Sequence, residues 1–383
     1  GSPVVVFDNG SCYSKLGFAG ADTPQSSIVT VHGKTKHGGV ILGVNHPSCF
    51  VGGDALVRRG LLKLSYPVQR GKIVHWDYME TLWEYCSLKE LQVNPSEHFV
   101  LLTESSDNPL SNREIMTEIM FEKMNVPGVY VANQAALNLF AAGRKTGVGV
   151  DCGAGITQSY CLRDDFTLGN TGCTSIISSE IPNHLISLLN QTGYLVRPYY
   201  DMDMVQDIIK TRCYVAESLK EETSKGESEI SQIYSLPDGQ TITLKNEQFL
   251  CPEALFLPEL IKDCTNMLSV PDVVHQTIQQ CDETLHNTLY ANVVVGGGLS
   301  TFPGFETRLQ KELTEKHPAS NINVVGVENK LHSAWTGGSI LASHSSFDNM
   351  VLTESTYKEC GNSYIHEKFG HSVPPRTPKS ARN

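Results

Sequence analysis

Two short segments, far apart in the chain, share one shape. Val4-Val5-Val6-Phe7-Asp8-Asn9-Gly10-Ser11 is a β-branched run broken by Asp-x-Gly, and Val148-Gly149-Val150-Asp151-Cys152-Gly153-Ala154-Gly155 repeats it. Their aspartates lie 143 residues apart, a plausible domain length. Each apolar run reads as a buried strand, and each Gly-containing segment as a tight hairpin turn. Such a turn points successive N–H groups into one concavity that suits a phosphate, and an Asp at the strand end suits a hydrated cation. A single Asp-x-Gly carries almost no information, because turns everywhere use Asp and Gly. The pair fits either a nucleotide clamp or two ordinary hairpins. A third element favours the clamp. Val293-Val294-Val295-Gly296-Gly297-Gly298-Leu299-Ser300 is a strand running into a triple glycine, followed by Pro303-Gly304 and a helical stripe of Phe305, Leu309 and Leu313. Glycines there would let a flat base lie against backbone at a helix start.

Helices and hairpins alternate around these elements, so the expected class is α/β with two similar halves and a cleft between them. Ser111-Asn112-Arg113-Glu114 reads as a capping box before the Ile115, Met116, Ile119 and Met120 stripe. Further helices are expected over Pro182 to Asn190, along Val205, Ile208, Ile209 and Val215, and along Val274, Ile278, Cys281 and Leu285. Leu236-Pro237-Asp238-Gly239-Gln240 signals a hairpin. The 383 residues exceed one ordinary core, and 40% hydrophobic with 19% charged residues fits a globular chain. A net charge of −11 argues against non-specific nucleic-acid binding, and no apolar run approaches the ~20 residues of a membrane helix. The 11 cysteines include no CxxC pair and read as reduced thiols lining the core.

Nearly the whole chain, to about Phe369, resembles actin and the actin-related proteins. The resemblance rests on Phe7-Asp8-Asn9-Gly10-Ser11 with Gly17-Phe18-Ala19-Gly20, on Tyr66-Pro67, and on Trp76-Asp77 with Met79-Glu80. Leu101-Leu102-Thr103-Glu104, Asn112-Arg113-Glu114, Met120-Phe121-Glu122 and Asn125-Val126-Pro127 continue it. Leu236-Pro237-Asp238-Gly239, Cys251-Pro252-Glu253, and Trp335 with Gly337 to Ser343 complete it. It implies an actin-like two-domain fold with duplicated phosphate-binding turns and an interdomain nucleotide cleft. Residues 1–143 plus 332–369 would form the outer domain, with a DNase-loop-like segment at 37–50. Residues 144–331 would form the inner domain, and 370–383 a basic flexible tail. Hinges are implied near 134–142 and 331–335.

The resemblance also implies ATP or ADP with Mg2+ or Ca2+ in the cleft. Carried over by position, Asp8 and Asp151 would hold the cation through waters, and Lys15 would reach the phosphates. Gly10, Ser11 and Cys12 in the first turn, and Gly153, Ala154 and Gly155 in the second, would cradle them. Gln134 would orient the attacking water, with Gln158 where the family has a water-handling histidine. Gly297, Gly298 and Phe302 would line the adenosine pocket, near Lys210 and Leu331.

Departures cluster at this site. Ala154 replaces an aspartate, Cys152 a hydroxyl residue, and Cys12-Tyr13 a glycine and an aliphatic residue. Lys210 stands at the ribose-binding glutamate, Ile209 at a neighbouring lysine, and Leu331 at a lysine beside the base. Arg70 replaces a histidine near the cleft. Together these changes imply weak or absent hydrolysis and possible loss of nucleotide. Pro47, Cys49 and the altered segment Cys264 to Val273, with its Pro271, put self-polymerisation in doubt. The expected role is a structural or assembly subunit of a cytoskeletal or other complex, with actin, actin-related or other subunits as partners. The expected compartment is the cytoplasm and cytoskeleton, with the nucleus as alternative. The competing readings are an ATP-driven filament protein and a small-molecule kinase or chaperone-type ATPase.

Overall fold

The structure is a computed structural model that describes residues 1–36, 49–164, 166–168 and 172–369. The tail 370–383 and all but Cys49 and Phe50 of the loop 37–50 lie outside the described residues.

Two six-stranded mixed sheets organise the chain, and both are built to one plan. The first has the order Leu352–Thr353, Gly128–Asn133, Val100–Glu104, Val5–Asn9, Tyr13–Phe18, Ser26–Val29. Val5–Asn9 forms an antiparallel hairpin with Tyr13–Phe18 and pairs in parallel with Val100–Glu104. In the second sheet, Gly147–Cys152 forms the hairpin with Thr157–Arg163 and pairs in parallel with Val293–Gly296, which pairs in parallel with Val324–Gly326. Val5–Asn9 and Val293–Gly296 are buried on both faces, which is why they read as unbroken valine-rich runs rather than alternating ones. A smaller sheet of Cys49–Val51, His32–Thr35 and Leu62–Ser65 packs on the short helix Gly53–Val57, with His32–Thr35 in the middle.

One helix, Gln134–Ala141, lies between the sheets. Asn133 caps it by accepting a hydrogen bond from Ala136 N at 3.0 Å. Its neighbours approach at backbone distance. A Cβ on Gly149 of the second sheet would stand 1.8 Å from Ala135 O, and one on Gly337 of helix Ser333–Ala342 would stand 1.9 Å from Leu137 O. Asn138 Nδ2 donates to Val150 O at 2.9 Å, tying the helix to the second sheet.

Several local readings need correction. Ser111 caps nothing: Pro109 occupies the cap position of helix Leu110–Glu118, and Ser111 falls inside the first turn. Glu114, which would have completed the box, is engaged elsewhere, with His366 Nε2 at 2.8 Å. Helix Val270–Gln279 stops before Cys281 and Leu285, because Asp282 accepts from Thr284 N at 2.9 Å and starts a separate turn. Helix Met202–Arg212 stops before Val215, whose N–H donates instead to Pro303 O at 2.8 Å. The hairpin at Pro237-Asp238-Gly239 joins Gln232–Ser235 to Thr241–Leu244, with Gly239 at φ 86. The cysteines are free thiols, and Cys86, Cys152, Cys161 and Cys251 are fully buried.

Gly337→Ala has no room to relax, because the atom it meets is backbone. It should destabilise the protein by about 2–3 kcal/mol, the upper range of overpacking, in urea unfolding. Gly143→Ala serves as a control for φ strain, since nothing lies within 4 Å of its Cβ position although its φ is 68.

Candidate functional site

In open α/β sheets, ligands collect where parallel strands end at their carboxyl side. Here five such ends converge. Val5–Asn9 delivers Asp8, Val100–Glu104 delivers Thr103, and Gly128–Asn133 runs into Gln134. From the second sheet, Gly147–Cys152 delivers Asp151 and Val293–Gly296 delivers the triple glycine.

The two turns are copies of one another. Gly10 N donates to Tyr13 O at 3.1 Å, and Gly153 N donates to Ile156 O at 3.0 Å. They face each other closely. A Cβ on Gly155 would stand 2.3 Å from Ser11 Oγ, so only glycine admits the first turn's serine here. The Arg70-Gly71 turn closes the gap between them. Gly71 N donates to Ser11 Oγ at 3.0 Å, and a Cβ on Gly71 would stand 2.8 Å from Ile156 in the second turn. Arg70 reaches Glu180 at 3.7 Å. The triple glycine lies flush on the same turn: Gly297, at φ 93, has no room for a Cβ, which would stand 2.6 Å from Cys152 O.

A polar chain runs through the middle. Asp8 is almost completely buried; its Oδ2 accepts from Lys15 Nζ at 3.2 Å. Its Oδ1 accepts from Thr103 Oγ1 and from Gln134 Nε2, each at 2.9 Å. Gln134 Oε1 in turn accepts from Gln158 Nε2 at 2.9 Å, and Gln158 Oε1 accepts from Ser106 N at 2.8 Å. Both ends of both amides are therefore engaged, and this orientation uses every partner consistently. Burial, followed by the nearby Asp8 charge, pushes the Asp151 carboxyl up to about 6, with Lys15 opposing. Cys152 is packed with Thr157, Sγ to Oγ1 at 3.2 Å, and burial pushes its thiol up to about 12.

The structure thus brings together Asp8, Gly10, Ser11, Lys15, Gln134, Asp151, Gly153, Gly155, Gln158 and Gly297. Cys12 and Ala154 sit exposed on the two turns. Leu331 is half-exposed and its Cδ2 stands 3.6 Å from a Cβ built on Gly298, so these two face one another. Phe302 packs into the large core of the second half rather than standing free. Lys210 is exposed on helix Met202–Arg212 and makes no ion pair among the described residues. Ile209 beside it is core.

Three participants were not among the expected site residues. Thr103 and Ser106 could have been read from Leu101-Leu102-Thr103-Glu104-Ser105-Ser106, a buried run that turns polar at its carboxyl end. His332 carries no local signal. Burial and then the Lys15 charge hold its imidazole below the ordinary range, and its Nδ1 is buried without a hydrogen-bond partner among the described residues.

The donor set can be tested against a nucleotide with a divalent cation. The phosphate end fits: two facing glycine turns leave backbone N–H groups around Lys15, and two carboxylates of like charge approach each other where a cation would neutralise them. On the cation side, Ala154 supplies no carboxylate. Lys210, exposed on its helix, supplies a cation and no hydrogen-bond acceptor. A family model described as Actin matches residues 1–370. The chain belongs to that family, whose members usually bind ATP or ADP with a divalent cation.

Thr103 Oγ1 both donates to Asp8 and accepts from Asn9 N at 2.9 Å. Thr103→Val leaves a buried N–H and a carboxylate oxygen short of a partner and should cost about 1–3 kcal/mol in denaturant unfolding. Thr103→Ser should recover most of that loss.

Proposed function

We propose that this member of the actin family is a non-hydrolysing assembly subunit, whose cleft takes ATP or ADP with Mg2+ or Ca2+ as a structural ligand. One observation carries the reading. Gln134, which would have to orient an attacking water, has its amide nitrogen on Asp8 Oδ1 and its oxygen on Gln158. Gln158 is itself fully buried and held by Ser106, and an amide neither takes up nor releases a proton near neutral pH. A water placed there would meet a Gln134 amide already held on both sides and, at position 158, an amide in place of a side chain that exchanges protons.

Asp8 and Asp151 would hold the cation through waters, the turn backbones at Gly10 to Cys12 and Gly153 to Gly155 would take the phosphates, and Lys15 would supply a point charge. Gly297, Gly298 and Leu331 would flank the base, and Lys210 would replace a carboxylate acceptor by a cation near the sugar or phosphates. A bound cation there offsets the Asp8–Asp151 repulsion and the phosphate charge. With it, residues 1–143 plus 332–369 and residues 144–331 would close as two domains about helices Gln134–Ala141 and Ser333–Ala342. The role proposed is structural, within a cytoskeletal or other protein complex of the cytoplasm or nucleus. No helix among the described residues is long and apolar enough to cross a membrane.

Titration with Mg-ATP should raise the unfolding temperature, by about 2.7 kcal/mol of added stability at a hundred times Kd. Phosphate release should stay at the background rate. Ala154→Asp with Gln158→His should tighten Mg2+ binding by about 10–100-fold and restore measurable phosphate release. Rapid release by the unaltered protein, with salt-induced filaments, would overturn the proposal in favour of an ATP-driven filament.

A further inference from the structure

One face of the small three-stranded sheet concentrates positive charge. In its antiparallel register His32 stands opposite Ser65 and Lys34 opposite Lys63. Side chains alternate along a strand, so these four share a face, while a Cβ on Gly33 would point at Leu62 and Ala55 on the other. Lys34, Thr35, Lys36, Lys63, Ser65 and Tyr78 line a cavity of about 400 Å³. None of the three lysines makes an ion pair among the described residues; Lys36 Nζ donates to Gly60 O at 3.1 Å. Directly opposed like charges destabilise an antiparallel pair, so Lys34 and Lys63 carry a cost in the free protein.

Two further features mark the groove. His32 is 4% exposed and stacks on Tyr78, with ring centroids 4.1 Å apart, and its Nδ1 has no hydrogen-bond partner among the described residues. Burial and then the Lys34 charge hold this imidazole below its ordinary range, so it adds no positive charge of its own near neutral pH. The sheet order also leaves the outer edge of Leu62–Ser65 unpaired among the described residues, directly beside the lysines. An unpaired strand edge offers backbone donors and acceptors to an extended chain.

We propose that this groove is a docking site for an acidic, extended peptide segment of a protein partner. Its Asp or Glu carboxylates would meet the ammonium groups of Lys34, Lys36 and Lys63, with the Ser65 and Tyr78 hydroxyls as further donors. Its backbone would pair along the free edge of Leu62–Ser65. Charge complementarity selects this occupant: a chain of net charge −11 keeps three unneutralised lysines in one groove. A nucleic acid is disfavoured by the same overall charge and has no peptide N–H and C=O groups to complete a sheet edge. The chain's own tail, with Arg376, Lys379 and Arg382, has the wrong sign.

The test uses the full chain and a fluorescein-labelled hexaglutamate peptide, read by anisotropy at low and moderate salt. Saturable binding that weakens with salt is expected. The double variant Lys34→Gln/Lys63→Gln should weaken it at least about tenfold while raising the unfolding temperature of the free protein, since the cross-strand repulsion is gone. A control variant on another face, Lys311→Gln/Lys358→Gln, should bind as the parent does. Absence of binding, or equal binding by the Lys34/Lys63 variant and the parent, would overturn the proposal. So would a thymidine oligonucleotide of equal length that binds more tightly and is lost in the same variant, because the groove would then read phosphates. The experiment is independent of the nucleotide cleft and of hydrolysis.

Discussion

Helix Gln134–Ala141 packs tightly against strand Gly147–Cys152 on one side and helix Ser333–Ala342 on the other. Both contacts are at backbone distance, and both rest on a glycine, Gly149 and Gly337. Contacts this close transmit displacement rather than absorb it, because a packed interior has little free volume. The same helix begins with Gln134, whose side chain holds Asp8 of the first sheet and Gln158 of the second. Register between the two sheets and geometry at the two turns are therefore set by one element.

The same arrangement holds the site's shape through hydrogen bonds. Asp8 is buried and would be costly alone, but it has three partners in Lys15, Thr103 and Gln134. Gln158 extends the network across to Ser106. A histidine at that position could exchange a proton; the amide instead completes a closed set of hydrogen bonds. Ala154 sits exposed on its turn, and its methyl group has no hydrogen bond to add to that network. Retention of Gly10, Gly155 and Gly297 follows from sterics alone, since a side chain at any of them meets neighbouring atoms at 2.6 Å or less.

The buried ion pairs Arg113–Glu104 and Arg308–Glu253 do similar work away from the site. Arg308 Nη1 also donates to Ala216 O at 2.9 Å, and its guanidinium lies 4.9 Å over the Phe256 ring. Removing one partner of such a pair leaves a charge buried without compensation, so these residues fix how helices seat on the sheets. Near Arg113, which pairs with Glu104, Pro109 takes the cap position and the helix begins ahead of the capping pattern written in Ser111 to Glu114.

Much was determined by the sequence alone. The duplicated strand-turn pattern around Asp8 and Asp151, and the strand that runs into the triple glycine after Val293–Val295, were legible because buried parallel strands and tight turns restrict residue types locally. The hairpin at Asp238-Gly239 was legible for the same reason. Helix ends at Ser111, Val215 and Cys281 were not, since periodicity continues past a point where a proline, an Asp cap or a distant carbonyl diverts the chain. Only the tertiary structure decided that Gln134 and Gln158 occupy each other, that Thr103, Ser106 and His332 join the site, and that Lys34 and Lys63 face one another. Those facts depend on pairings between segments tens to hundreds of residues apart, which no local pattern encodes.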